Sequence, residues 1–191
     1  MPRWVLPLTG LAISCTVLVV AGCGSGTGGG GITIPQADAT PPTLTLQVGA
    51  ANGPSGSVQA GAAAATVTLA SKSGALNYSA TARDAESGVR TVRVTVDKTV
   101  SECTPPDACS QQNPGLASTP SLVSDGPAKS PGETVSESSL LLDSIDLAAE
   151  IRQTPTPPGT TRTVTFRFTA RAINYLGGIT TTPALTVTWK E

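Results

Sequence analysis

The chain has 191 residues, enough for one domain with appendages, and 12 Lys+Arg against 13 Asp+Glu leave a net charge of −1. Without a basic surplus nothing neutralises a run of phosphates, which excludes a nucleic-acid partner. There is no histidine and aromatics are only 3%, which removes Ser–His–Asp and Cys–His catalysis, the usual pH switch, and stacking platforms for sugars or bases.

In chain order, residues 1–4 carry one cation, Arg3, and residues 6–20 are apolar or small apart from Thr9, Ser14 and Thr16. Ala21 and Gly22 follow. A basic start, a short apolar stretch and small residues form a secretory signal layout. The alternative is an uncleaved anchor, since the run approaches the roughly 20 residues that span a bilayer.

Val20-Ala21-Gly22-Cys23 resembles the lipobox of bacterial lipoproteins. That resemblance implies cleavage before Cys23, a diacylglycerol thioether on its sulfur and acylation of its amine. The expected partner is then a membrane, reached through lipid on Cys23. More than one acyl chain makes a stable anchor, at ~0.8 kcal/mol per buried methylene. Gly24 stands where many inner-membrane lipoproteins carry Asp, which by the same resemblance implies an outer membrane where the cell has one.

Residues 24–31 are glycine apart from Ser25 and Thr27. Such a segment buries no apolar area and loses much entropy on ordering, so it is expected to be a flexible tether. With residues 32–37 added, its reach is on the order of 20 Å.

Beyond Pro41-Pro42 the pattern has period two. Apolar residues alternate with polar ones over 43–48, 66–69, 76–83, 91–96, 163–172 and 185–190. Each set predicts a strand with one buried and one solvated face. Tyr78 and Trp189 fall on buried parities, and Tyr175 falls in the last hairpin turn, where exposure is expected. A seventh strand over 139–147 is irregular, because Leu140 and Leu142 share one parity while Leu141, Ile145 and Leu147 share the other. A bulge near Asp143 would reconcile them, and residues 148–152 are expected to form a short helical turn. Seven strands without a long helix predict an all-β sandwich with antiparallel links.

Asp38–Leu46 (DATPPTLTL), Tyr78–Asp97 (YSATARDAESGVRTVRVTVD) and Val164–Trp189 are similar to segments of bacterial immunoglobulin-like modules. The resemblance implies an immunoglobulin-like β-sandwich. Where such modules often read A-x-D-x-x-G-N in the last hairpin, this chain has Ala172, Asn174 and Gly177-Gly178, and the acid is missing.

Residues 98–138 form a Ser/Pro/Gly-rich insert. Insets of this length are functional or disordered. Cys15 would leave with the signal and Cys23 would carry lipid, so Cys103 and Cys109 are expected to form a disulfide at a hairpin tip. The alternatives are two free thiols or half a metal site.

Little else points to chemistry. Asp84 and Glu86 share the turn Asp84-Ala85-Glu86-Ser87-Gly88, a weak Ca²⁺ candidate that Asp97 or Asp38 would complete. The other reading is a solvated polar turn. Arg83, Arg93, Arg167 and Arg171 lie on outward parities, either lining one sheet face or standing as solvated charges between threonines. No catalytic residue, cofactor or metal is assigned.

The sequence thus predicts a signal peptide (1–22), a lipidated Cys23 with its tether (23–40), and a sandwich (41–191). The expected function is that of a membrane-anchored envelope lipoprotein, not an enzyme, with a binding or structural role. An envelope protein is a further possible partner. A calcium-dependent adhesion or carbohydrate-binding module is one alternative, and a carboxylate-based hydrolase is another.

Overall fold

The computed structural model describes residues 31–106, 108–151 and 155–191. The signal peptide, Cys23 and most of the glycine run lie outside the described residues.

The strands in chain order are β1 (Gly31–Thr33), β2 (Thr43–Ala50), β3 (Ser55–Gln59), β4 (Ala65–Leu69), β5 (Ala75–Arg83) and β6 (Val89–Thr104). Next come β7 (Ala108–Gln112), β8 (Val123–Asp125), β9 (Thr134–Ser136) and β10 (Ser138–Asp146). A single helical turn, α1 (Leu147–Glu150), precedes β11 (Thr161–Asn174), β12 (Ile179–Thr181) and β13 (Leu185–Lys190).

Two sheets face each other, one ordered β10-β5-β2-β3 and one β4-β13-β11-β6-β7. β2, β5 and β10 lie opposite β6, β11 and β13, which makes the molecule an all-β sandwich. All seven expected strands are present. They are not all antiparallel, because β4 runs parallel to β13, Leu185 facing Ala65.

The alternating rows meet between the sheets. Leu44, Leu46 and Val48 from β2 and Leu76 and Tyr78 from β5 are buried against Val164, Phe166 and Phe168 from β11 and Val187 and Trp189 from β13. The Tyr78 and Phe168 rings lie 5.7 Å apart across this interface. Burying such rows stabilises by ~25 cal/mol per Å² of apolar surface removed from water.

Four expectations are corrected. β10 has no bulge near Asp143, since its register with β5 is unbroken from Ser138–Arg83 to Asp146–Ala75. Instead Leu141 and Ile145 point inward, while Leu140 and Leu142 stand 57% and 66% exposed. The helical turn starts one residue early, because the Asp146 side chain caps it by accepting from the Ala148 N–H; Arg152 lies outside the described residues. Residues 98–104 belong to β6, so the insert proper begins later. Finally, residues 31–34 are not free tether: β1 pairs with β9, and Ile34 is buried.

The insert is a strap across one edge of the sandwich. β7 and β8 pair with opposite ends of β6. Between them the chain leaves for the other sheet. There Ser121 N–H donates to Asp143, and the Tyr78 hydroxyl donates to the Ser121 carbonyl at 2.6 Å. It then returns to β6, where the Val94 N–H donates to the Leu122 carbonyl.

Candidate functional site

The turn between β5 and β6 carries the acidic candidates. Gly88 closes it with φ of +73°, and a Cβ there would meet the Val135 side chain at 2.4 Å, so only glycine fits. Asp84 is buried. Its Oδ1 accepts from the backbone N–H groups of Glu86 and Ser87 at 3.1 and 2.7 Å. Its Oδ2 accepts from Asn174 Nδ2 at 3.0 Å. The same amide donates to Asp38 Oδ2 at 3.1 Å, and Ser87 Oγ donates to that oxygen at 2.5 Å. Asp38 Oδ1 accepts from the Thr40 N–H.

The amide's orientation follows from its other bonds. Asn174 Oδ1 accepts from the N–H groups of Leu176 and Gly178 at 3.1 and 2.6 Å, which leaves Nδ2 facing the carboxylates. Burial works to raise the Asp38 pKa, yet hydrogen bonds from Ser87, Glu86 and the Thr40 backbone hold it below its ordinary value. The hydrogen bond shared with Asp38, supported by repulsion from that carboxylate, raises Glu86.

The structure therefore brings Asp38, Asp84 and Glu86 together and leaves Asp97 out. Asp97 lies opposite Arg167 on the outer face of β6 and β11. The knot is held by amide, hydroxyl and backbone hydrogens. Among the described residues no three His, Cys, Asp or Glu side chains are grouped so as to hold a metal ion.

The opposite end carries a second charged group. β6 and β11 outrun the apolar core there, and the inward rows continue as Lys98, Val100 and Glu102 on β6 and as Arg162 on β11. Lys98 Nζ donates to Glu150 Oε2 at 2.8 Å, with Glu150 fully buried. Glu150 also accepts from the N–H groups of Ala117 and Ser118 and from Ser118 Oγ, at 3.0, 2.7 and 2.7 Å. Burial pushes its carboxyl up, but Lys98 and these donors prevail and hold it below the ordinary range. Arg162 Nε donates to Glu102 Oε1 at 2.8 Å. A cavity of about 230 Å³ lies between Lys98, Glu102, Glu150 and Arg162, roofed by Ser110 and Gln112 of β7. Its carboxylates are engaged by cations, so this arrangement fixes charge rather than leaving a general base free.

The disulfide Cys103–Cys109 closes the tip of the β6–β7 hairpin, where the two residues face each other in register. The arginines do not share one face. Arg83 belongs to the other sheet and pairs with Glu137 at 3.1 Å, whereas Arg93, Arg167 and Arg171 lie on the outer face of β6 and β11. Tyr175 is half-buried, not exposed, and its hydroxyl lies where a Cβ on Gly126 would sit. Sequence reasoning missed Lys98 and Arg162, though both continue an apolar parity row, a signal open to inspection. Glu150 had no such signal, because its partners come from residues 98 and 117–118.

The chain matches no known family model and no curated protein.

Proposed function

We propose that this is an extracytoplasmic envelope lipoprotein, held to a membrane by lipid on Cys23, with a binding or structural role and no catalysis. The observation that carries the reading is the Cys103–Cys109 disulfide. Disulfides persist in oxidising compartments, so the chain is read as exported. The two remaining cysteines, Cys15 and Cys23, lie in the signal-like segment, and Cys23 closes the lipobox-like motif. The order of parts agrees, since β1 begins eight residues after Cys23. A non-enzymatic role is supported by the acids of the two charged ends, which are taken up by hydrogen-bond donors and cations.

The test is metabolic labelling with a palmitate analogue in bacteria expressing the full chain. The wild type is expected to carry label and to sediment with membranes, and Cys23→Ala is expected to carry none. An unlabelled wild type, or a labelled Cys23→Ala, would overturn the lipid anchor.

A further inference from the structure

We propose that the outer face of β6 and β11 holds a binding site for a phosphate dianion, built by Arg90, Arg93 and Arg171. Arg93 and Arg171 are direct partners in the antiparallel register. Like charges placed opposite one another destabilise a sheet. A third arginine joins them through a backbone irregularity. The β6–β11 register pairs Ile173 with Thr91 but Asn174 with Val89, so Arg90 is an extra, unopposed residue.

Strict alternation would send Arg90 inward with Val92. The bulge instead keeps Val89 and Val92 both buried and turns Arg90 and Thr91 outward. Bulges re-aim side chains in this way beside functional sites. The outcome is a cleft of about 270 Å³ lined by Arg90, Thr91, Arg93, Asp125, Arg171 and Ile173.

None of the three arginines has an ion-pair or side-chain hydrogen-bond partner among the described residues. This sets them apart from Arg83 and Arg162, each held by a glutamate. Three guanidiniums against one carboxylate, Asp125, leave two uncompensated positive charges in the cleft. Guanidinium forks suit phosphate oxygens and form two parallel bonds to them. Two positive charges favour a dianion, as in inorganic phosphate or a phosphate monoester, over a phosphodiester. Thr91 also lines the cleft.

The site's location bears on its source of ligand. The β5–β6 turn at Gly88 packs on Val135 of β9, and β9 pairs with β1. The cleft therefore opens near the end of the sandwich where the chain arrives from Cys23. The phosphate could come from solution or from a lipid headgroup, and only the second source depends on the lipid-anchor reading.

Calorimetric titration of the detergent-solubilised full chain separates these cases. Inorganic phosphate is expected to bind saturably, about tenfold more weakly to Arg93→Gln or Arg171→Gln. Arg167→Gln, on the same face but outside the cleft, is expected to bind as the wild type does. A short-chain phosphatidylglycerol below its micelle concentration tests the diester. Weaker binding of that lipid than of phosphate supports a soluble dianion. Tighter binding of the lipid, lost in the same two variants, would move the site to headgroups and overturn the dianion preference. No saturable binding of either probe, or equal losses in all three variants, would overturn the site itself. Each result stands whether or not Cys23 carries lipid.

Discussion

Asn174 makes the acidic knot possible with one planar group. Its oxygen accepts two backbone N–H groups from its own turn, and its nitrogen donates to Asp38 and Asp84. Two carboxylates this close, Asp84 buried and Asp38 half-buried, need positive hydrogen between them, and a fixed amide supplies it without a net charge. Asn174→Asp keeps the acceptor and turns the donor into a third carboxylate oxygen. The variant is expected to lose about 2–4 kcal/mol of stability in EDTA. Millimolar calcium is expected to restore part of it, because three converging carboxylates suit that ion. Thermal melts with and without calcium measure both effects. A variant as stable as the wild type in EDTA would show that the amide is not what holds the knot.

Among the elements, β6 and its strap carry the most long-range organisation. β6 changes character along its length: Val92 and Val94 feed the core, and Lys98 and Glu102 extend the same row into a charged cavity. Lys98 is tolerated there because Glu150 answers it, and Glu150 is tolerated because the strap donates three hydrogen bonds. Glu150→Gln leaves Lys98 buried without a counter-charge and is expected to cost about 3 kcal/mol near neutral pH. The acid response follows from the lowered pKa of Glu150. The ion pair's contribution is complete above the ordinary value of 4.5 and fades as pH falls through the lower folded-state value. The gap in melting temperature between wild type and Glu150→Gln should therefore narrow as pH drops below 4.5, and a constant gap would contradict the assignment. Tyr78 ties the strap from the core side. Burial, helped by the Asp143 charge, pushes its phenol up to about 12, so the hydroxyl remains a donor. Tyr78→Phe is expected to cost about 1 kcal/mol and to speed amide exchange across residues 113–122. Unchanged exchange there would mean that the strap is held without it.

At the scale of the molecule, an apolar slab is closed at each end by a polar network, the acidic knot at one and the Lys98–Glu150 cavity at the other. Much of the slab was legible, because period-two rows such as Val164, Phe166 and Phe168 declare both the strand and its buried face. β3 was not legible, having Val58 as its one large apolar residue, and neither was β7, whose residues are all exposed. The site divides in the same way. Asp84 and Glu86 share one turn and could be found locally, and the missing acid at Asn174 was visible as a departure from a familiar pattern. The service of Asn174 to residues 38 and 84 spans 136 and 90 positions and leaves no local trace. Arg90 escaped for another reason: parity puts it inside, and only a bulge puts it out. The disulfide acts on this architecture at a distance from the slab. Its ring is short, so Cys103→Ser with Cys109→Ser is expected to cost roughly 2 kcal/mol by the chain-entropy relation. Guanidinium melts measure this, and a much larger loss would mean that the β6–β7 tip supports the slab itself.

The pairing of β1 with β9 also has a mechanical consequence. A pull on the chain from the side of Cys23 enters at Gly31, and Gly31 faces Ser136, the last residue of β9. Load at that end peels the three residue pairs one after another instead of shearing them together. Peeling releases chain as far as Ile34, whose buried side chain gives the next resistance, and then reaches Asp38, clamped by Ser87 and Asn174. The domain thus carries a short reserve of length that yields under slight tension, and a stop beyond it.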